Sequence, residues 1–153
     1  MFPLCADNGI QTLIYSPLAR GRLARPWGAT SIRSEAEPAA AQLYELTAAA
    51  DEKIIGAIGA VAKERGVSQA VISLAWIYRN PVVAAPIVGA LKASHIDDAI
   101  QALSIKLTDE EATRLEAEYT PRVDPIVASS DPKGIAKAAA SVGLNISVPA
   151  ASK

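Results

Sequence analysis

Thr12-Leu-Ile-Tyr-Ser-Pro-Leu-Ala-Arg-Gly-Arg-Leu23 decides the architecture: a strand runs straight into a Ser-Pro-Leu turn and then into a small-residue loop rich in arginine. Such a loop suits a phosphate, because backbone N–H groups and a nearby cation both favour an anion. The same order returns in Ala84-Ala-Pro-Ile-Val-Gly-Ala-Leu-Lys-Ala-Ser-His-Ile-Asp-Asp98, with a glycine at the strand exit and a lysine just before the next helix. Two strand-loop-helix units of this kind imply one shared ligand.

Working outward, residues 2–8 read as the last turns of a helix, with Gly9 where a left-handed cap would sit, and residues 10–15 as a buried strand. Residues 21–36 hold two glycines, Pro26 and Trp27, and read as a long excursion and a lid candidate. Residues 51–65 carry a helical stripe of Ile54, Ile55, Ile58, Val61 and Ala62 closed by Gly66, with Gly56 and Gly59 inside it for close packing. Ser68 caps a second helix whose inner face is Val71, Ile72, Ala75, Trp76 and Ile77, ending before Asn80-Pro81. Residues 82–88 are almost continuously apolar, which predicts a strand of a parallel sheet covered on both sides. Helices follow over 94–103 and 108–117, the latter opened by the capping box Thr108-Asp-Glu-Glu111 with Leu107 and Leu115 as its apolar positions. The class is α/β, helix-rich with two parallel strands. Residues 1–120 form the folded part, and 121–153 an Ala-, Ser- and Pro-rich, loosely attached tail in which only 133–142 could be helical.

Composition narrows the partners. The chain has 153 residues, half of them apolar and one fifth charged, and 15 Lys+Arg stand against 16 Asp+Glu. That balance gives no global field to attract nucleic acid or an anionic membrane, so any anion site must be local and its ligand small. One cysteine, Cys5, excludes a disulfide framework, fits a reducing compartment and reads as a small buried hydrophobe; the chain holds too few Cys and His for a zinc cluster. No apolar run is long enough to span a bilayer and no secretory signal opens the chain, so the cytoplasm is expected and the sequon at Asn145-Ile-Ser is a chance match.

Several residues have plain readings. Ser16-Pro17 alone is a strand-ending turn. Arg20, Arg22, Arg25 and Lys92 could keep loops wet, with Arg20, directly after the turn, the exception most worth weighing. His95 is either an anion ligand or a helix-surface residue. Trp76 reads as core, and Trp27 as a loop aromatic that closes over a ligand or packs down. Asp51, Glu52, Asp109, Glu110 and Glu111 read as first-turn carboxylates that complement a helix dipole, not as an acid/base pair.

The order Tyr15-Ser-Pro-Leu-Ala-Arg-Gly-Arg-Leu23, Ser73-Leu-Ala-Trp76 before Pro81, Pro86-Ile-Val-Gly89, Ile96-Asp-Asp98 and Leu107-Thr-Asp-Glu-Glu111 resembles the C-terminal part of an aldo-keto reductase. The resemblance runs through residues 2–120 in one register. It implies a partial (β/α)8 TIM barrel, a C-terminal fragment with strands seven and eight, whose sites lie at the C-terminal strand ends, and a cofactor, NADP(H), bound in extended form. It places Tyr15 on the nicotinamide, and Ser16, Pro17, Leu18, Ala19, Arg20 and Gly21 around the pyrophosphate. Gly89, Ala90, Leu91 and Lys92 fall at the adenosine 2′-phosphate, His95 at that phosphate or the adenine, and Asp98 at the adenine, with Ala99 where the family commonly has asparagine. Lys92 is the residue expected to favour NADP(H).

The resemblance also implies an absence. The family's catalytic tyrosine, lysine, aspartate and histidine come from earlier strands, and none of Tyr15, Tyr44, Tyr78 or Tyr119 matches that tyrosine. The chain alone is therefore expected not to reduce carbonyls, and its carbonyl substrate is not legible. Two strands of a closed barrel leave edges and a face uncovered, which predicts self-association or pairing with a complementary barrel half. The alternatives are a non-catalytic nucleotide-binding or regulatory module, and a gene remnant or truncated gene product.

Overall fold

Pro3 in the first turn and a glycine past the last turn frame α1 (Phe2–Asp7), where Gly9 takes φ 64° and Ile10 N–H donates to the Cys5 carbonyl at 2.8 Å. The left-handed cap read at Gly9 is present, and Cys5 is buried. The computed structural model describes residues 1–30 and 48–119. The expected tail helix over 133–142, and the lid beyond residue 30, fall outside them.

From α1 the chain turns into β1 (Thr12–Tyr15), enters 3-10 turns over Ala19–Ala24, and reappears as α2 (Ala48–Arg65), α3 (Gln69–Tyr78), β2 (Val83–Ile87), α4 (Ala93–Ser104) and α5 (Asp109–Glu116). The described part of the excursion is thus partly regular, because Leu18 and Ser16 supply carbonyls that close successive tight turns. Ser68 Oγ accepts from Val71 N–H at 3.2 Å, capping α3. Thr108 and Glu111 form the reciprocal capping box at α5. Both caps satisfy amides that a helix start leaves without intrahelical partners.

The strands pair in parallel, in the register Thr12↔Val83, Leu13↔Ala85, Ile14↔Pro86 and Tyr15↔Ile87, with an irregularity after Thr12. Thr12 secures the first rung by donating both its N–H and its hydroxyl to the Val82 carbonyl. Parallel pairing follows from the crossover through α2 and α3. Full coverage of the sheet does not follow. Leu13, Tyr15 and Ile87 are 65%, 76% and 52% exposed, so one face is open where the apolar run predicts cover on both sides.

The core lies between helices. Ile58, Val61 and Ala62 of α2 meet Ile72 and Ala75 of α3 and Leu107 and Leu115 near α5. On the far side of α3, Val71 and Leu74 meet Ala102 of α4, and Leu18 and Val88 pack on the same cluster. Trp76 is not core: it is 44% exposed and donates its indole N–H to Glu116 at 2.8 Å. A helix buried on both flanks still has an outer stripe, and Trp76 lies on it. Of the two helical glycines, only Gly59 is closely approached, by the Gln69 side chain, while Gly56 faces open space. Arg65 grips Glu111 bidentately at 2.6 Å and Arg114 grips Glu64 at 2.8 Å, tying α2 to α5.

Candidate functional site at the strand exits

Parallel strands end at the same edge of their sheet. With Tyr15 opposite Ile87, the loop leaving β1 and the loop leaving β2 start side by side. Leu18 and Val88, one from each loop, then sink into the same apolar cluster around Val71 and Leu74. The two units singled out in the sequence are thus brought together.

The first loop is strained. Ser16, Ala19 and Arg20 all take positive φ, at 50°, 47° and 58°, followed by Gly21 at 87°. A side chain in this region carries a steric cost that glycine escapes, and such residues concentrate where ligands bind. Internal hydrogen bonds hold the shape: Ala19 N–H donates to Ser16 O at 2.9 Å, Arg20 N–H to Ser16 Oγ at 3.3 Å, and Gly21 N–H to Leu18 O at 2.8 Å. These amides are engaged within the loop, which corrects the expectation that its backbone N–H groups present themselves to an anion. Pro17 sits inside the same turn, and Tyr15 stands open immediately before it.

Two distant elements fasten the loop exit. Arg22 Nε lies 3.1 Å from Asp51 Oδ2 on α2, and the Arg22 guanidinium lies 4.5 Å from the Trp27 ring centroid. Ser73 on α3 donates its hydroxyl to the Leu23 carbonyl at 3.0 Å. Neither tether is legible in the sequence, where Arg22 reads as a wet-face charge and Asp51 as a helix-end carboxylate. Asp51 is buried, and pairing is the condition on which a carboxylate tolerates burial.

The second loop is exposed throughout, from Gly89 to Lys92. Lys92 is the N-cap of α4, with no side-chain cap hydrogen bond and no acidic residue in the first turn. The contrast with α5, which has Asp109, Glu110 and Glu111 in its first turn and a complete capping box, is physical. A cation at the positive end of a helix dipole is unfavourable by itself and becomes favourable once an anion joins it. His95, in the first turn of α4, accepts from the Leu91 N–H at Nδ1, at 3.3 Å. That bond closes the turn and leaves Nε2 as the outward donor of the neutral ring. Asp98 is half-buried one turn further on. A shallow cleft elsewhere, between the end of α3 and residues 103–107, includes none of these residues.

Among the described residues no group of His, Cys, Asp and Glu is placed to hold a metal ion. No described helix is long and apolar enough to cross a membrane. Side by side at the strand exits stand an open aromatic before a constrained loop and, on the other loop, a lysine on an uncapped helix start.

Versiconal hemiacetal acetate reductase of Aspergillus parasiticus is 36% identical over 124 residues, which are 80% of this chain and 36% of that protein. A putative aryl-alcohol dehydrogenase of Saccharomyces cerevisiae is 34% identical over 123 residues, 80% of this chain and 35% of its own length. An aldo-keto reductase of Fusarium vanettenii is 32% identical over 123 residues, 80% of this chain and 33% of its own length. The chain therefore spans about a third of the length of these relatives. Residues 1–119 match the aldo/keto reductase family, whose members are α/β-barrel oxidoreductases that use nicotinamide cofactors, and the chain belongs to that family.

Proposed function

We propose that this chain is the NADP(H)-binding, C-terminal portion of an aldo-keto reductase barrel, a cytoplasmic protein that does not reduce carbonyls by itself. The observation that carries the reading is the Tyr15↔Ile87 register, which makes neighbours of the two loop exits. Bound NADPH supplies a hydride for an aldehyde or ketone. What the chain's own residues do is hold and orient. Tyr15 offers its exposed ring to the nicotinamide, and the turn from Ser16 to Gly21 shapes the path of the pyrophosphate. Gly89, Ala90 and Leu91 let the chain pass close to the adenosine end, with Asp98 toward the adenine. Lys92 and the Nε2–H of His95 meet the 2′-phosphate at the start of α4, where the helix dipole adds to their attraction. The acid that would protonate the carbonyl oxygen lies, on this reading, in the part of the family barrel that precedes these two strands.

Calorimetric titration of the full chain with NADPH and NADH tests this. Saturable binding with NADPH the tighter ligand, and no oxidation of NADPH when an aromatic aldehyde or a simple ketone is added, is the expected result. Binding of neither cofactor overturns the reading.

A second reading has its own observation. The open sheet face of Leu13, Tyr15 and Ile87, and the exposed stripe Ile96, Ile100 and Leu103 on α4, suit a module that keeps the nucleotide site and works against another chain. Mixing with the remaining barrel segment of a relative separates the two. Restored NADPH-dependent turnover favours the first reading, and a change only in an intact partner's own activity favours the second.

A further inference from the structure

Ser16, Ala19 and Arg20, three residues with side chains and positive φ within five positions, form a turn that persists only if its surroundings over-determine it. The surroundings act at the exit, since Leu23 N–H returns to the Leu18 carbonyl at 3.2 Å and so couples the exit to the turn itself. Among the described residues two tethers fix that exit, and they are unequal. Ser73 has one hydroxyl proton, and the Leu23 carbonyl at 3.0 Å shares it with the Gln69 carbonyl at 2.8 Å. Asp51 meets Arg22 at 3.1 Å from a position 8% exposed, in a helix whose Ile55 and Ile58 are buried in the core. A charge pair sheltered from water is screened less than a surface pair, so Asp51 biases the placement of Arg22 more than an exposed carboxylate would.

The geometry points to Asp51 as a positioning residue: through Arg22 it holds the exit of the β1 loop, and with it the Ser16–Gly21 turn, in the shape that receives the cofactor pyrophosphate. The inference rests on the nucleotide-binding reading above and adds to it a residue, buried and remote in sequence, that touches no ligand. Because the pyrophosphate is common to both cofactors, loosening its cradle weakens NADPH and NADH by the same factor.

The test uses the full chain as wild type, Asp51→Asn, Asp51→Glu and Arg22→Gln, with two readouts. One is the rate of tryptic cleavage after Arg20, followed by mass spectrometry against cleavage after Lys63, with and without NADPH. The other is the affinity for each cofactor. Asp51→Asn is expected to speed loop cleavage relative to Lys63 and to weaken both cofactors by about tenfold. Asp51→Glu is expected to recover part of both. Arg22→Gln, which leaves the buried helix position untouched, is expected to reproduce the cofactor loss and serves should Asp51→Asn fail to fold. Wild-type affinity in Arg22→Gln, or in Asp51→Asn with its loop cleaved faster or not, overturns the positioning role while the nucleotide reading stands. A wild-type chain that binds neither cofactor overturns both, and faster cleavage in Asp51→Asn would then report only a structural clamp.

Discussion

Tyr15 and Ile87 are the last register partners of the β1–β2 ladder, and both stand open on the sheet face opposite Ile14 and Pro86. A tyrosine in that position contributes little to the folded state, because its ring is left 76% exposed. Its value lies in the ring it offers. Tyr15→Ala is expected to leave the free energy of urea unfolding within about 0.5 kcal/mol of wild type, as surface substitutions do. It should weaken NADPH and NADH alike by about 1 kcal/mol, roughly fivefold, the scale of an aromatic stacking contact. Titration of both cofactors checks this, and a loss confined to one of them would mean that Tyr15 does not face the nicotinamide.

Lys92 gives the opposite signature. It sits on the uncapped start of α4, where nothing acidic in the first turn offsets its charge. A 2′-phosphate would supply that charge, and NADH has none. Lys92→Ala is expected to cost NADPH about 2 kcal/mol, the scale of a charge-assisted hydrogen bond, and to leave NADH nearly unchanged. Equal losses for the two cofactors would remove Lys92 from the phosphate.

The places of these two residues in the fold, at a strand end and at a helix start, were legible in the sequence because local grammar carries them: a strand followed by a turn dipeptide, and a glycine followed by a lysine before a helix. The capping serine and the Thr108-Glu111 box were legible for the same reason, each being set by residues within three positions. What the sequence did not disclose depends on long-range packing. The apolar run of β2 reads alike whether one face or two is covered, so the open face of Leu13, Tyr15 and Ile87 was hidden. Trp76 falls on a helical stripe that reads as core, and only the arrangement of α2, α4 and α5 around α3 shows which part of the stripe is left outside. Arg22 and Asp51 are separated by residues 23–50, and nothing local in either announces the other.

Glu111 makes stability depend on acid. Hydrogen bonds from the Arg65 guanidinium, and then from the Thr108 backbone amide, hold its carboxyl down from 4.5 to about 2. A group whose folded pKa lies below its unfolded value stabilises above the unfolded value and loses that contribution as pH falls toward the folded one. The contribution of Glu111 is therefore complete above about 4.5 and fades between there and about 2. Glu111→Gln is expected to lower stability at neutral pH by about 1 kcal/mol, since it weakens a helix cap and a partly exposed ion pair together. Urea midpoints measured across that window should show the gap between variant and wild type closing as pH falls. Some acid sensitivity should survive in the variant, because Arg114 also lowers Glu64 and backbone hydrogen bonding lowers Glu110. A gap that stays constant would exclude the Arg65–Glu111 pair as its source. A transition without cooperativity at any pH would instead favour the gene-remnant reading.

Ile100 tests what the outer side of α4 is for. Ile96, Ile100 and Leu103 recur at helical spacing and are 53%, 61% and 58% exposed, while Ala102 on the opposite side is buried. A helix with apolar residues on both sides is built to be covered on both. If a second copy of the chain covers this stripe, sedimentation of the wild type should shift upward with concentration. Ile100→Lys should abolish that shift, because a cation cannot be buried there without a partner, and lysine keeps the helix. Affinity for NADPH should not change, since Ile100 follows Asp98 by two positions and so lies on the other side of α4 from it. A wild type that sediments as a monomer at every concentration would discard self-association and leave a complementary barrel segment as the partner that this face fits.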